Sequence, residues 1–161
     1  MIGGSASDAE ASLALRPARP GDLPALVRLA GDGRPLASLG READWPEPVR
    51  RLAAWIAAEN CWVAERGGVP AGYGVLHHHF FGRGFIELVL VGGALRRQGI
   101  GRQIVRQLAE RCLTPTLWTS TNLSNQPMQA LLRGEGFVGR GFIEGLDAGD
   151  PELVYSKTLR P

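Results

Sequence analysis

The chain has 161 residues, 44% of them hydrophobic, which suits a single domain with a substantial core. A net charge of +2 is too mild to argue a nucleic-acid partner, and no apolar run approaches the roughly 20 residues of a membrane span. With only two cysteines, Cys61 and Cys112, the expectation is a cytoplasmic protein whose thiols stay reduced and pack as small hydrophobes.

The first ten residues, rich in Gly, Ser and Ala, read as a flexible tail and not as a signal peptide. Residues 11–161 read as one domain. Leu13 to Pro17 predicts a first strand. Asp22 is a plausible cap for a helix whose face carries Leu23, Leu26, Val27 and Ala30. Residues 31–43 read as loop. A second helix is predicted over Pro48 to Glu59, with Val49, Leu52, Ala53 and Ile56 at helical spacing. Strands at Cys61–Glu65 and Pro70–Phe80 are joined by Arg66-Gly67-Gly68-Val69, a hairpin signal. Phe85 to Val91 is the fourth strand. Strict alternation would put Phe85, Glu87, Val89 and Val91 on one face and Ile86, Leu88 and Leu90 on the other.

Ile100, Ile104, Val105, Leu108 and Cys112 form the stripe of a third helix. Thr116–Thr121 is a fifth strand, and Pro127–Arg133 a fourth helix with Ser124 or Asn125 as cap, stopped by Gly134 and Gly136. Strands at about Val138–Glu144 and Glu152–Leu159 close the chain around an acidic loop. Short strands and helices alternate without an internal repeat, which argues an α/β chain of one domain.

Between the fourth strand and third helix stands Arg96-Arg97-Gln98-Gly99-Ile100-Gly101-Arg102. A helix start presents unpaired N–H groups and the positive end of the macrodipole, so it favours a phosphate. Glycine lets the backbone approach such a ligand closely. The dinucleotide fingerprint is excluded because Ile104 stands where its third glycine belongs. The P-loop is excluded because the only lysine is Lys157.

What remains, Arg-x-x-Gly-x-Gly at Arg96, Gly99 and Gly101, resembles the acetyl-CoA signature of the GNAT superfamily of N-acetyltransferases. Asn125 to Phe137 resembles that superfamily's late helix, Asn-x-x-Ala-x-x-Leu-Tyr-x-x-x-Gly-Phe, matching at Asn125, Leu131, Gly136 and Phe137. Met128 replaces its small residue and Leu132 its tyrosine. The opening and closing strands also look like the family's, so the likeness spans about residues 13–160. The loop 146–153 together with Thr119-Ser120-Thr121-Asn122 resembles one bacterial subgroup of it.

The resemblance implies a GNAT fold: a mixed, mostly antiparallel sheet of six to seven strands, flanked by four helices, with strands four and five splayed. It implies acetyl-CoA as co-substrate, with no metal. The coenzyme would be held by main-chain groups of Val89, Leu90 and Val91, by Arg96 to Arg102 around its pyrophosphate, and by Asn125 along its pantetheine arm. The acceptor would be a small-molecule amine or a peptide amino group, attacked directly in a ternary complex by a monomer or homodimer. The alternative is a catalytically weak CoA-binding sensor or interaction module, for which Leu132 in place of the family's general acid is the motive.

Acetyl transfer needs an uncharged amine, and Glu87, a carboxylate in an apolar strand, is the candidate general base. The plainer reading is an ion-paired or edge glutamate. His77 and His79 share a face by alternation, so either could serve as base, against the reading of a polar sheet surface. Three consecutive histidines on a strand cannot all face one metal ion. Without a tyrosine at 132, the thiolate is protonated by Ser120, Ser124 or water, or leaves unprotonated. Tyr73 and Tyr155 read as packing residues, and Trp45 as a residue that could line the acceptor pocket. Glu144, Asp147, Asp150 and Glu152 either attract a cationic amine or simply form turns.

Overall fold

The structure is a computed structural model and describes residues 12–31 and 41–160; the tail expected at 1–10 and most of the loop expected at 31–43 lie outside them. Along the chain run β1 (Leu13–Pro17), α1 (Leu23–Ala30), α2 (Glu47–Ala57), β2 (Cys61–Arg66), β3 (Val69–Phe80), β4 (Arg83–Val91), α3 (Ile100–Arg111), β5 (Thr116–Asn122), α4 (Gln126–Gly134), β6 (Val138–Ile143) and β7 (Glu152–Thr158). This is the order read from the sequence. α2 ends two residues earlier than expected, because Glu59 adopts φ +59° and cannot continue a right-handed helix.

Among the described residues one sheet holds all seven strands, in the order β1-β2-β3-β4-β5-β7-β6, and the β4–β5 pair alone is parallel. α3 covers one face through Ile100, Ile104, Val105 and Leu108, which join Ala71, Leu76, Ile86 and Leu117 in a single buried cluster. α1 and α2 cover the other through Leu26, Leu52 and Ile56, packed on Val63, Tyr73 and Val75. α3 can lie this close because Gly74 is in its way with no side chain: a Cβ there would stand 2.7 Å from Leu108 and 2.9 Å from Ile104. Gln107 of α3 ties the helix to the free edge of β1, accepting from the Leu15 N–H (3.1 Å) and donating to the Leu13 carbonyl (2.9 Å).

Asp22 does not cap α1 as expected. Its carboxylate turns back to accept from the Arg19 N–H (2.7 Å) and to pair through both oxygens with the Arg16 guanidinium, 2.8 Å each. A bidentate charge-assisted pair is the stronger bond, and Arg16 also reaches Glu65 (2.9 Å), so β1, β2 and the entry to α1 are locked together. The Arg16 charge holds the Asp22 carboxyl below its ordinary value. α4 ends in a Schellman pair, Phe137 N–H to Leu132 carbonyl and Gly136 N–H to Arg133 carbonyl, which turns the chain at Gly136 as expected. Cys61 and Cys112 are both buried free thiols, and burial pushes Cys61 up to about 12.

Candidate functional site

β4 is two strands in one. From Gly84 to Ile86 it pairs with β5, ending at Ile86↔Thr119, where the Thr119 hydroxyl donates to the Ile86 carbonyl at 2.9 Å. Beyond Ile86 no residue of β5 pairs with it. On that side, every second residue's N–H and C=O of the segment Glu87–Val91 has no strand partner among the described residues. Leu88, Val89, Leu90 and Val91 are accordingly only half-buried.

At the point of divergence the β3–β4 register also slips: Val75 faces Leu88 but Leu76 faces Ile86, so Glu87 is an extra, bulged residue. The bulge corrects the alternation expected from the sequence. Leu88 and Leu90 pack with the α1–α2 cluster, whereas Ile86, Val89 and Val91 pack with α3. One inserted residue moves Leu88 and Leu90 to the face opposite Ile86 and aims Glu87 sideways out of the ladder.

Glu87 meets His77. Its Oε2 lies 3.1 Å from His77 Nε2, while His77 Nδ1 accepts from the His79 N–H at 3.1 Å. Because Nδ1 is an acceptor, the hydrogen-bond pattern assigns the proton to Nε2, and the neutral ring donates to the carboxylate. The His79 ring stacks on His77 at 5.4 Å and is exposed, so these two share a face as alternation required. It is His77, however, and not His79, that touches Glu87. Sequence parity could not choose between them without knowing of the bulge.

His78 points the other way and accepts from the Leu113 N–H (3.0 Å). Desolvation, and then the neighbouring His77 and His79, lower its pKa. No cluster of three or more potential metal ligands occurs among the described residues.

At the far end of the unpaired edge, α3 begins at Ile100 with Gly99 as its first boundary residue, φ +75°, and no side chain of the described residues caps the opening turn. Only glycine takes that dihedral freely, and here it leaves the first N–H groups of the helix pointing outward. Arg97 also sits at positive φ (+63°), and Arg96, Arg97, Gln98 and Gly99 are exposed. Gln98 is steadied by Arg66 Nη1 at 2.7 Å. A Cβ on Gly101 would press Leu131 at 3.3 Å, so that glycine lets α3 meet α4.

Arg102 is turned to the buried Glu135. Arg106 Nε bonds one of its oxygens at 2.7 Å, and Arg102 Nε stands 3.1 Å from the other, too poorly aligned for a hydrogen bond. Asn125 is the cap of α4, its Oδ1 accepting from the Met128 N–H at 3.3 Å.

Other candidates fall away. Tyr73 and Tyr155 are buried, Tyr73 pushed up to about 12 by desolvation, and Leu132 is core. The Ser124 hydroxyl donates to Asp150, which also takes the Ser124 N–H, and Asn122 Nδ2 donates to Asp147 at 2.9 Å. Those two aspartates therefore staple the β6–β7 loop to the β5–α4 turn. Trp45 packs against the α1–α2 cluster.

The sequence matches the model of the acetyltransferase (GNAT) family over residues 30–137. The chain belongs to that family. Solved structures share the fold along nearly the whole length. A GNAT-family acetyltransferase from Bacillus cereus superposes with a TM-score of 0.77 at 24% identity, over 91% of this chain and 97% of that one. The yncA protein of Salmonella typhimurium, whose structure holds its cofactor acetyl-CoA, gives 0.69 at 21% identity, over 91% and 94%. A ribosomal-protein-alanine N-acetyltransferase from Brucella melitensis gives 0.67 at 27% identity, over 90% and 99%. A search of curated proteins finds no significant match. The splayed β4–β5 pair and the uncapped start of α3 are thus features of a GNAT acetyltransferase domain, and the fold expected from the resemblance is the fold observed. No helix among the described residues is long and apolar enough to cross a membrane.

Proposed function

We propose that this protein moves an acetyl group from acetyl-CoA to a primary amine by direct attack in a ternary complex, with Glu87 as general base. One observation carries the reading. The end of β4–β5 pairing, the β4 bulge and the Glu87–His77 hydrogen bond all fall at one residue, at the head of an unpaired strand edge that leads to an uncapped helix start.

The residues suit the coenzyme. Main-chain groups of Val89, Leu90 and Val91 would take its pantetheine amides as a strand would. Arg96, Arg97, Gln98, Gly99, Ile100 and Gly101 would hold its pyrophosphate on the α3 N–H groups, with Arg102 adding charge. Asn125 would meet the pantetheine arm with its amide NH2, since its Oδ1 caps α4. Acetyl-CoA supplies an activated acyl carbon: the amine nitrogen forms the new C–N bond while the C–S bond breaks and its electron pair leaves with sulfur.

Glu87 accepts the proton that the amine must lose. His77 Nε2–H holds Oε2, which leaves Oε1 for the amine. The backbone N–H of His79 fixes the His77 tautomer, so His79 supports the pair without touching the carboxylate. A leaving thiol of ordinary pKa near 8.5 departs as thiolate without an acid, which accommodates Leu132 in the tyrosine's place. Buried Leu132 also carries the second reading, a CoA-binding module without turnover.

Two measurements test the readings, and the second separates them. Titration calorimetry with acetyl-CoA should give binding in either case, and its absence at millimolar coenzyme would falsify both. A thiol-release assay over a panel of primary amines should show CoA formed in proportion to acetylated amine. Binding without release from any amine would favour the module.

A further inference from the structure

Beyond Glu87, the line of β4 leads on the same face to a group of aromatic rings. Phe85 stacks on His77 at 5.5 Å and packs tilted on Phe80 at 4.7 Å, and Phe80 meets Trp118 at 5.6 Å and Phe81 edge-on at 5.1 Å. Phe80, Phe81, Arg83 and Trp118 line a cavity of about 380 Å³. Helices α1 and α2 do not reach it: neither their cluster nor that of α3 includes these residues.

Two features of this cavity are at odds with a purely structural role. Phe80 pairs with Arg83, so Phe81 and Gly82, at φ +50° and +71°, form a two-residue hairpin turn with both central residues left-handed. That turn favours Asn-Gly or Asp-Gly, and a bulky residue at its first position is strained. Phe81 touches Phe80 edge-on yet stays 89% exposed, so little burial offsets that strain. In the cavity's other aromatic wall, the indole N–H of Trp118 is buried without an acceptor among the described residues, a cost that folded proteins seldom leave standing.

We infer that this cavity is the acceptor's specificity pocket, and that the enzyme prefers primary amines carrying a planar aromatic ring. The inference rests on the acetyl-transfer reading above. Trp118 pairs with Phe85, two residues before Glu87, so the ring would lie about 7 Å along the strand from the amine. At the reach of an extended chain, that is a tether of about six bonds. The ring would stack between Phe81 and Trp118, with the aliphatic stem of Arg83 along its edge. Two sources share this chemistry: a free arylalkylamine, and a peptide whose second residue is aromatic, its ring six bonds from the terminal nitrogen.

The test compares kcat/KM for 5-phenylpentylamine against hexylamine, and for Ala-Phe-amide against Ala-Ala-amide, in wild type and Phe81→Asn. The asparagine suits the turn, so the melting temperature should hold or rise, which separates a lost wall from a damaged fold. Wild type should favour the aromatic member of at least one pair by tenfold or more, and F81N should bring that ratio to about one. Preference in the first pair only marks a free amine, and in the second only a peptide. Equal use of aromatic and aliphatic acceptors, or a ratio that F81N leaves unchanged, overturns the inference. If no amine is turned over, the transfer reading fails by itself, and calorimetry of the same compounds on the CoA-bound protein decides the pocket. Aromatic binding that F81N abolishes upholds it, and no binding to wild type overturns it.

Discussion

The two halves of β4 have opposite fates. Gly84–Ile86 is held on both edges, by β3 and by β5, and Phe85 and Ile86 are buried. Leu88–Val91 is more apolar, yet among the described residues it is held by β3 alone and stays half-buried, with one edge of backbone groups unmatched. An apolar strand with an unpaired edge costs free energy unless something else pairs with it. The residue between the halves is Glu87, and the bulge it creates is where pairing with β5 stops and, on our reading, ligand binding begins. Four predictions test that division.

The largest effect belongs to the boundary. Glu87→Gln keeps the shape and the His77 hydrogen bond but removes the base, so kcat/KM should fall by roughly 10²–10⁴-fold. Coenzyme affinity by calorimetry should stay within a factor of about two, because the neighbouring main chain makes those contacts. If turnover survives in this variant and is lost in His79→Ala, the base lies in the histidine strand and the assignment to Glu87 is wrong.

Next comes the open half and the helix start that it leads to. Arg97→Ala should weaken coenzyme binding by about 1.5–3 kcal/mol, the worth of a charge-assisted phosphate contact, and the loss should shrink at high salt. Gly99→Ala, which forces a Cβ onto φ +75°, should weaken it too, with little change in kcat once the coenzyme saturates. A variant that binds normally but turns over slowly would instead place the loop in the chemistry.

Most of this arrangement was readable in the residues, and the failures share a cause. Element order, the helix start at Gly99 and the stop at Gly136 follow from local rules, because caps, turns and periodicity are short-range physics. The facing of β4 was misread because a bulge depends on register against β3, which no pattern within Phe85–Val91 reveals. Asp22 was misread for a similar reason: its stronger partner, Arg16, approaches from β1. The pairing of Glu87 with His77 in preference to His79 depends on both.

The closed half should respond in stability more than in catalysis. Thr119→Val removes the hydroxyl that seals the last shared pair while preserving volume, and Thr119 is 2% exposed. A buried carbonyl that loses its donor costs about 1–2 kcal/mol, or roughly 2–8 °C in melting temperature for a domain of this size. An unchanged melting temperature would mean that the seam is held by the main chain alone.

The smallest effect comes from the histidine on the opposite face. His78 accepts the Leu113 N–H through Nε2, and burial with two neighbouring histidines holds its pKa below the ordinary 6.5. A proton on Nε2 would face that N–H donor to donor. The folded state therefore binds protons less readily than the unfolded chain does. Its contribution to stability is complete above the unfolded pKa and is lost as pH falls through 6.5 towards the lower folded value. Melting temperatures measured from pH 7.5 down to 5 should decline, and His78→Gln, whose side-chain carbonyl can accept the same N–H but cannot titrate, should flatten that decline. Because Gly84, at the start of the β4–β5 pairing, bonds Thr114 one residue past Leu113, this contact anchors the closed half from behind. Acid should therefore loosen the closed half before it affects coenzyme binding along the open one. Coenzyme affinity falling with the same midpoint as stability would show that the two halves do not act separately.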